Sequence, residues 1–317
     1  MAEEILLLID GNALVHRSFH GIPPLKTKDG LQVNAVYGFT NTILMAIKEF
    51  HPEYLVVTFD VGKKTFRNEK FADYKATRVK APDELYAQFS LVKEVCNDLN
   101  IPQFGVKNFE ADDVIGTICA KIDDLHMVDK KNELGDKKLK TIIITGDMDT
   151  LQLVTDKVNV YSVSRGIKKA ETFDLNKVEE KYGFAAKYLV DYKGLRGDPS
   201  DNIPGVPGVG EITAKKIIKQ FGTIENLYEQ INQIEIDKKI ISSKIKQLLL
   251  EHKEQAFLSK YLATIRVDVP LEFDLADAKI NNYDREKAIK LFEKMEFKSL
   301  IAKLPEQMTE TKQYSLF

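Results

Sequence analysis

Along this chain the apolar positions keep two rhythms. Residues 5–9 (ILLLI), 54–59 (YLVVTF) and 141–145 (TIIIT) are short, nearly continuous apolar runs, the pattern of strands buried on both faces of a parallel sheet. Elsewhere apolar residues recur at helical spacing, at 36, 37, 39, 43, 44 and 47 within 33–50, and at 114, 115, 118, 119 and 122. The first of these lies between two apolar runs, so 5–60 reads as a strand–helix–strand unit. Pro82 opens a further predicted helix through Cys96 and Leu99, Thr150 begins another, 158–163 alternates as a strand, and 177–182 reads as helix. The polar stretch 123–140 holds no clear period and is expected to be mostly loop. Residues 224–304 are helical in pattern, with Pro270 and the pair Asn281 and Asn282 as breaks. The expected class is α/β, with a mostly parallel sheet flanked by helices and a helical extension behind it.

Acids follow the apolar runs. Asp10 and Asp60 come directly after the first two, and Asp147 follows the third after one glycine, with Asp149 two residues on. One such acid is ordinary turn or cap chemistry. The same placement on three runs points to a shared crevice at the carboxyl ends of parallel strands. Residues 108–116 (NFEADDVIG) add Glu110, Asp112 and Asp113, three acids in four residues on the first turn of a predicted helix. The positive helix end accounts for one or two of them. A third beside an apolar face implies mutual repulsion, which a hard divalent cation with oxygen ligands would relieve.

Composition narrows the class. A chain of 317 residues suggests about two domains. The formal charge of −2 excludes a uniformly basic protein and leaves charge segregated in local runs. Cys96 and Cys119 lie in apolar helical patterns with no C-x-x-C spacing, and the five histidines show no zinc spacing. No signal peptide or membrane-length apolar run is present, so the expectation is a soluble, cytoplasmic protein.

Two stretches suit a polyanion. Residues 63–80 carry seven bases (Lys63, Lys64, Arg67, Lys70, Lys75, Arg78, Lys80) against two acids, interleaved with Phe66, Phe71 and Tyr74. Charge and stacking of this kind suit a phosphate backbone with exposed bases, although a solvated helix face is the commoner origin of a charge run. Residues 194–210 (GLRGDPSDNIPGVPGVG) place Asp198 and Asp201 in a turn and then Gly205, Gly208 and Gly210 ahead of a predicted helix with Lys215, Lys216 and Lys219. This looks like a helix-hairpin-helix, whose glycines let backbone N–H groups approach a phosphate. Arg17, one turn or so into the helix after the first strand, is expected near Asp10.

In this order, Asp10, Arg17, Asp60, FRNEKFADYKATR, EADD, TGDMD and GDPSDNIPGVPGVG resemble the 5′-nuclease domains of bacterial DNA polymerase I, within the wider flap-endonuclease family. The resemblance covers about residues 5–304. It implies a PIN-like α/β catalytic unit over 1–200, with an arch at about 62–82, and a helix-hairpin-helix and helical region over 201–304. It implies a 5′→3′ exonuclease and 5′-flap endonuclease acting on DNA, and on RNA primers paired to DNA, with two Mg²⁺ or Mn²⁺ ions and K⁺ as a candidate ion at the hairpin.

By matching position, Asp10, Asp60, Glu110 and Asp112 would serve one metal, and Asp112, Asp147, Asp149 and Asp201 the other, with Asp113 and Asp198 supporting. Lys75 and Arg78 would grip the scissile phosphate, with Arg17 as a further catalytic cation. Arg67 and Tyr74 would contact DNA, Tyr74 by stacking, while Gly205, Gly208, Gly210, Lys215 and Lys216 would hold the duplex. The alternatives are a PIN-type ribonuclease, which would not need the hairpin, and a non-catalytic DNA-structure-binding module. A monomer is expected. Residues 305–317 read as a tether, and its end, with Gln313, Leu316 and Phe317, is similar to peptides that dock on the bacterial sliding clamp.

Overall fold

The computed structural model describes residues 3–128, 138–164, 169–232, 241–280 and 283–305. Six strands form one sheet: β1 (Glu3–Asp10), β2 (Tyr54–Thr58), β3 (Gln103–Phe104), β4 (Lys138–Thr145), β5 (Val158–Ser162) and β6 (Glu171–Phe173). Their spatial order is β3-β2-β1-β4-β5-β6. All neighbours are parallel except β5 and β6. The three apolar runs therefore form the sheet's centre, as their continuous character requires.

Alternation along the strands divides the core. Leu6 and Leu8 of β1, with Val56, Ile143 and Val160, face one side, against the helix Ala111–Val128 and the helical region that follows β6. Leu7 and Ile9, with Leu55, Val57, Ile142 and Ile144, face the other, against the helices Gly11–Gly21, Asn34–Phe50 and Asp83–Asp98. The span 201–304, expected as one helical region, is shared between the faces. Helices Glu211–Phe221, Ile224–Gln230 and Lys253–Ala263 belong to the first core, while Ala288, Leu291, Phe292, Phe297 and Leu300 pack into the second.

One expectation is corrected. The loop expected over 123–140 is shortened from both ends, because the Ala111 helix runs to Val128 and β4 begins at Lys138; residues 129–137 lie outside the described chain. Helix propagation gains one backbone hydrogen bond per residue and does not need a continuing apolar stripe. The segment expected as an arch is α-helical over Phe66–Lys70 and continues as turns, with Lys75 at φ 57° interrupting any helix. The terminal stretch with Gln313, Leu316 and Phe317, and the pair Asn281 and Asn282, lie outside the described residues.

Candidate active site

In a parallel sheet the crevice opens beyond the carboxyl ends of the strands, where the strand order changes direction, here between β1 and β4. The acids collect there. Asp10 ends β1 and caps the following helix, accepting from the Ala13 N–H at 2.9 Å. Thr145, the last residue of β4, donates its hydroxyl to Asp10 at 2.7 Å and accepts the Asp147 N–H at 2.9 Å. One threonine thus ties the two central strand ends together. Asp147 in turn accepts the Asp149 N–H at 2.9 Å and caps the turn Met148–Leu153. On the other side, Asp60 accepts the Ala111 N–H at 2.7 Å, which joins the end of β2 to the start of the Ala111 helix.

That helix start brings Asp112 to the same place. Its Oδ1 is buried and has no hydrogen-bond partner. Burial, then repulsion from Asp10, Asp147 and Glu110, hold its carboxyl well above the ordinary carboxylate range. Asp10 is pushed up to about 7, chiefly by burial, with Asp60 and Asp147 adding to the shift against the Ala13 and Thr145 bonds. Asp149 also rises to about 7, through burial and then Asp147. The cluster is electrostatically under-neutralised at its centre.

Cations hold its rim. Lys75 Nζ donates to Glu110 at 2.8 Å and lies 3.6 Å from Asp201, and Arg78 pairs with Asp201 at 2.5 Å. Lys193, which sequence reading passed over, bonds to Asp149 and, at 2.7 Å, to Asp198. Burial raises the Asp198 carboxyl, but the Lys193 ammonium and the bonds from Ser200 outweigh it and bring Asp198 down to about 2. The only hint of Lys193 in the sequence is its position five residues before Asp198 on a helix whose Leu189, Tyr192 and Leu195 face the core. A cavity of about 530 Å³ opens here, lined among others by Arg17, Arg78, Asp147, Asp149, Gln152 and Lys193. Arg17 lies beside Gly146, and its buried Nε has no partner.

Four of the expected site residues make contacts inside the protein. Arg67 is 2% exposed and forms a bidentate pair with the fully buried Asp113 at 2.7 and 2.8 Å. Asp113 also accepts the Glu110 and Arg266 N–H groups, at 3.0 and 2.9 Å. In this arrangement Arg67 does not reach a surface phosphate, and Asp113 is spent on Arg67 and two backbone N–H groups. Tyr74 is buried too, and its hydroxyl donates to Glu110 at 3.2 Å and Asp201 at 3.1 Å, so its ring is not displayed for stacking. Gly205 is buried, and a Cβ there would meet the Gly197 nitrogen at 2.2 Å, so its missing side chain serves internal packing. Gly208 and Gly210 remain exposed ahead of the Glu211–Phe221 helix with Lys215 and Lys216.

The donor set is entirely oxygen, which suits hard divalent ions such as Mg²⁺ or Mn²⁺. The orphaned Asp112 oxygen is the observation that fits such an ion. Among the described residues no three of these side chains already stand at ion-binding spacing. Lys75, Arg78 and Lys193 hold several of them instead. Among the same residues no helix is long and apolar enough to cross a membrane.

Comparison with known proteins gives a consistent assignment. Among curated relatives, DNA polymerase I of Bacillus caldotenax is 40% identical over 305 residues, 96% of this chain and 33% of that protein. DNA polymerase I of Bacillus subtilis is 38% identical over 308 residues, 97% of this chain and 33% of its own length. The chain thus spans about a third of the length of these relatives. Among solved structures, T5 5′-exonuclease with bound zinc ions shares the fold with a TM-score of 0.64 at 24% identity, covering 93% of this chain and 99% of that one. The catalytic core of Rad2 in complex with DNA substrate has a TM-score of 0.54 at 18% identity, covering 92% of this chain and 88% of that one. The family model for the N-terminal resolvase-like domain of 5′-3′ exonucleases matches residues 5–183, and that for their C-terminal SAM fold matches 184–286. With the first match covering more than half of its length and the second following without a gap, the chain belongs to the 5′-3′ exonuclease family of hydrolytic nucleases.

Proposed function

We propose that this chain hydrolyses phosphodiester bonds of DNA at or near a 5′ end, as a 5′→3′ exonuclease and 5′-flap endonuclease, with two divalent cations, Mg²⁺ or Mn²⁺. The observation that carries this reading is the buried, partnerless oxygen of Asp112, whose carboxyl is repelled by Asp10, Asp147 and Glu110 beside the strand-order switch. Like charges gathered at this density destabilise the fold, which is the signature of a site kept for function. Asp10, Asp60, Glu110 and Asp112 would hold one ion, and Asp112, Asp147, Asp149 and Asp201 the other. When bound, such ions supply an acidified water and positive charge at the leaving oxygen.

The remaining chemistry falls to the protein's own cations. Lys75 and Arg78 stand over Glu110 and Asp201, where a scissile phosphate would sit once the acids are neutralised, and would stabilise charge that grows in the transition state. Lys193 fixes Asp149 and Asp198 relative to each other. The exposed Gly208–Gly210 turn with Lys215 and Lys216 would bind the duplex backbone through N–H groups and charge. Cleavage of end-labelled 5′-flap DNA, compared with single-stranded RNA of the same sequence, tests the assignment. Preference for flap DNA in the presence of Mg²⁺ supports it, and preference for RNA would favour a PIN-type ribonuclease.

A further inference from the structure

At the carboxyl end of the Lys253–Ala263 helix, five consecutive residues have backbone groups held by side chains of the catalytic unit. The Leu262 and Thr264 carbonyls accept from Arg67, both at 2.9 Å. The Ala263 carbonyl accepts from Gln152 Nε2 at 3.1 Å, the Ile265 N–H donates to Gln152 Oε1 at 2.9 Å, and the Arg266 N–H donates to Asp113 at 2.9 Å. Both grips lead into the carboxylate cluster. Arg67 lies on the short helix before Lys75, and its partner Asp113 receives the Glu110 N–H. Gln152 lies on the turn that carries Asp149, and the same Nε2 also donates to the Asp149 carbonyl at 2.9 Å.

The same helix grips the hairpin from Gln255, near its amino end, and from Ser259, one turn before Ala263. Ser259 Oγ accepts the Gly205 N–H at 3.0 Å, and Gln255 Nε2 donates to the Gly205 carbonyl at 2.6 Å. An α-helix is stiff over such a length, about 1.5 Å per residue. A shift of the hairpin is therefore passed to residues 262–266, and from there to the Glu110 side through Arg67 and the Asp149 side through Gln152.

We infer that Gln152 is a positioning residue that couples duplex engagement at the hairpin to the geometry of the Asp147 and Asp149 half of the site, acting through the 262–266 backbone. This rests on the DNA-nuclease reading above. Gln152 suits the role because one amide meets two needs, a carbonyl acceptor for Ile265 and an amino donor for Ala263 and Asp149. Small misplacements of catalytic groups are costly in rate, so the coupling should be visible in turnover.

The test compares two 5′-flap substrates, one with a duplex of about half a helical turn and one of about two turns, only the latter reaching the hairpin. Turnover (kcat) and KM are measured for wild type, Gln152→Ala and Gln152→Glu, with thermal unfolding alongside. Gln152→Glu keeps the acceptor for Ile265 and loses the donor to Ala263 and Asp149, so it tests the link if the alanine variant folds poorly. Wild type should turn over the long-duplex substrate faster. In both variants the long-to-short ratio of kcat should collapse toward unity, with long-duplex kcat falling about tenfold and KM little changed. Proportional slowing of both substrates would mark Gln152 as merely structural and overturn the coupling, as would a wild-type ratio near unity. Absence of any wild-type cleavage would defeat the nuclease reading itself and this inference with it.

Discussion

Lys75 donates from Nζ to the Glu110 carboxylate at 2.8 Å, from a backbone held in the left-handed region at φ 57°. A lysine adopts that conformation at a cost, and the Lys75 N–H bond to the Asp201 carbonyl at 2.9 Å holds it in place. The ammonium is thereby aimed into the acid cluster. Replacing Lys75 with alanine is expected to lower kcat by about 100-fold, with flap-DNA affinity within a few-fold of wild type, because a cation at the reacting phosphate acts mostly on transition-state charge. Single-turnover rates and equilibrium binding separate the two; a loss confined to affinity would make Lys75 a backbone contact only.

Asp112→Asn is expected to abolish turnover while raising the thermal midpoint of the cation-free protein by a few degrees, since it removes repulsion among Asp112, Asp10, Asp147 and Glu110. Mg²⁺ or Mn²⁺ should stabilise wild type through linked binding and stabilise the variant much less. Thermal scans with and without the ions read both effects. A variant less stable than wild type without ions would contradict the placement of Asp112.

Arg67→Ala leaves the Asp113 carboxylate buried without its bidentate partner, a change that costs about 3–5 kcal/mol. Denaturant unfolding should show that loss, and Arg67→Lys should recover only part of it because a single ammonium cannot reproduce the fork. Near-wild-type stability, with weakened DNA binding instead, would restore Arg67 to the DNA-facing surface expected of it from the sequence.

Replacing Lys215 and Lys216 together with alanine should weaken duplex binding and flatten its salt dependence, by roughly 0.9 in the log–log slope for each phosphate no longer neutralised. Catalysis at saturating substrate should change little. An unchanged slope would remove the hairpin from the interface.

Much of this arrangement was legible in the chain. Strands buried on both faces must be continuously apolar, so β1, β2 and β4 announced themselves, and the acids after them fell at one edge of the sheet. The short edge strands Gln103–Phe104 and Glu171–Phe173 carry too few residues for any period to show. The burial of Arg67 was not legible because a basic run looks solvated one residue at a time; it depends on Asp113, distant in sequence, and on carbonyls nearly two hundred positions away. Lys193 and Gln152 were missed for the same reason. Each is an ordinary polar residue on a short helical segment, and its role appears only when tertiary contacts bring Asp149, Asp198 and Ala263 to it.

The central claim is that the carboxylates at the β1–β4 switch perform cation-dependent hydrolysis of DNA near a 5′ end. The most direct test is cleavage of a 5′-flap DNA labelled at either end, by the purified chain, with Mg²⁺ titrated against a chelator and with Asp112→Asn in parallel. The account predicts labelled products cut near the flap junction or released from the 5′ end, none in excess chelator, and none from Asp112→Asn despite retained DNA binding. Cleavage that persists undiminished in chelator, or in Asp112→Asn, would contradict it.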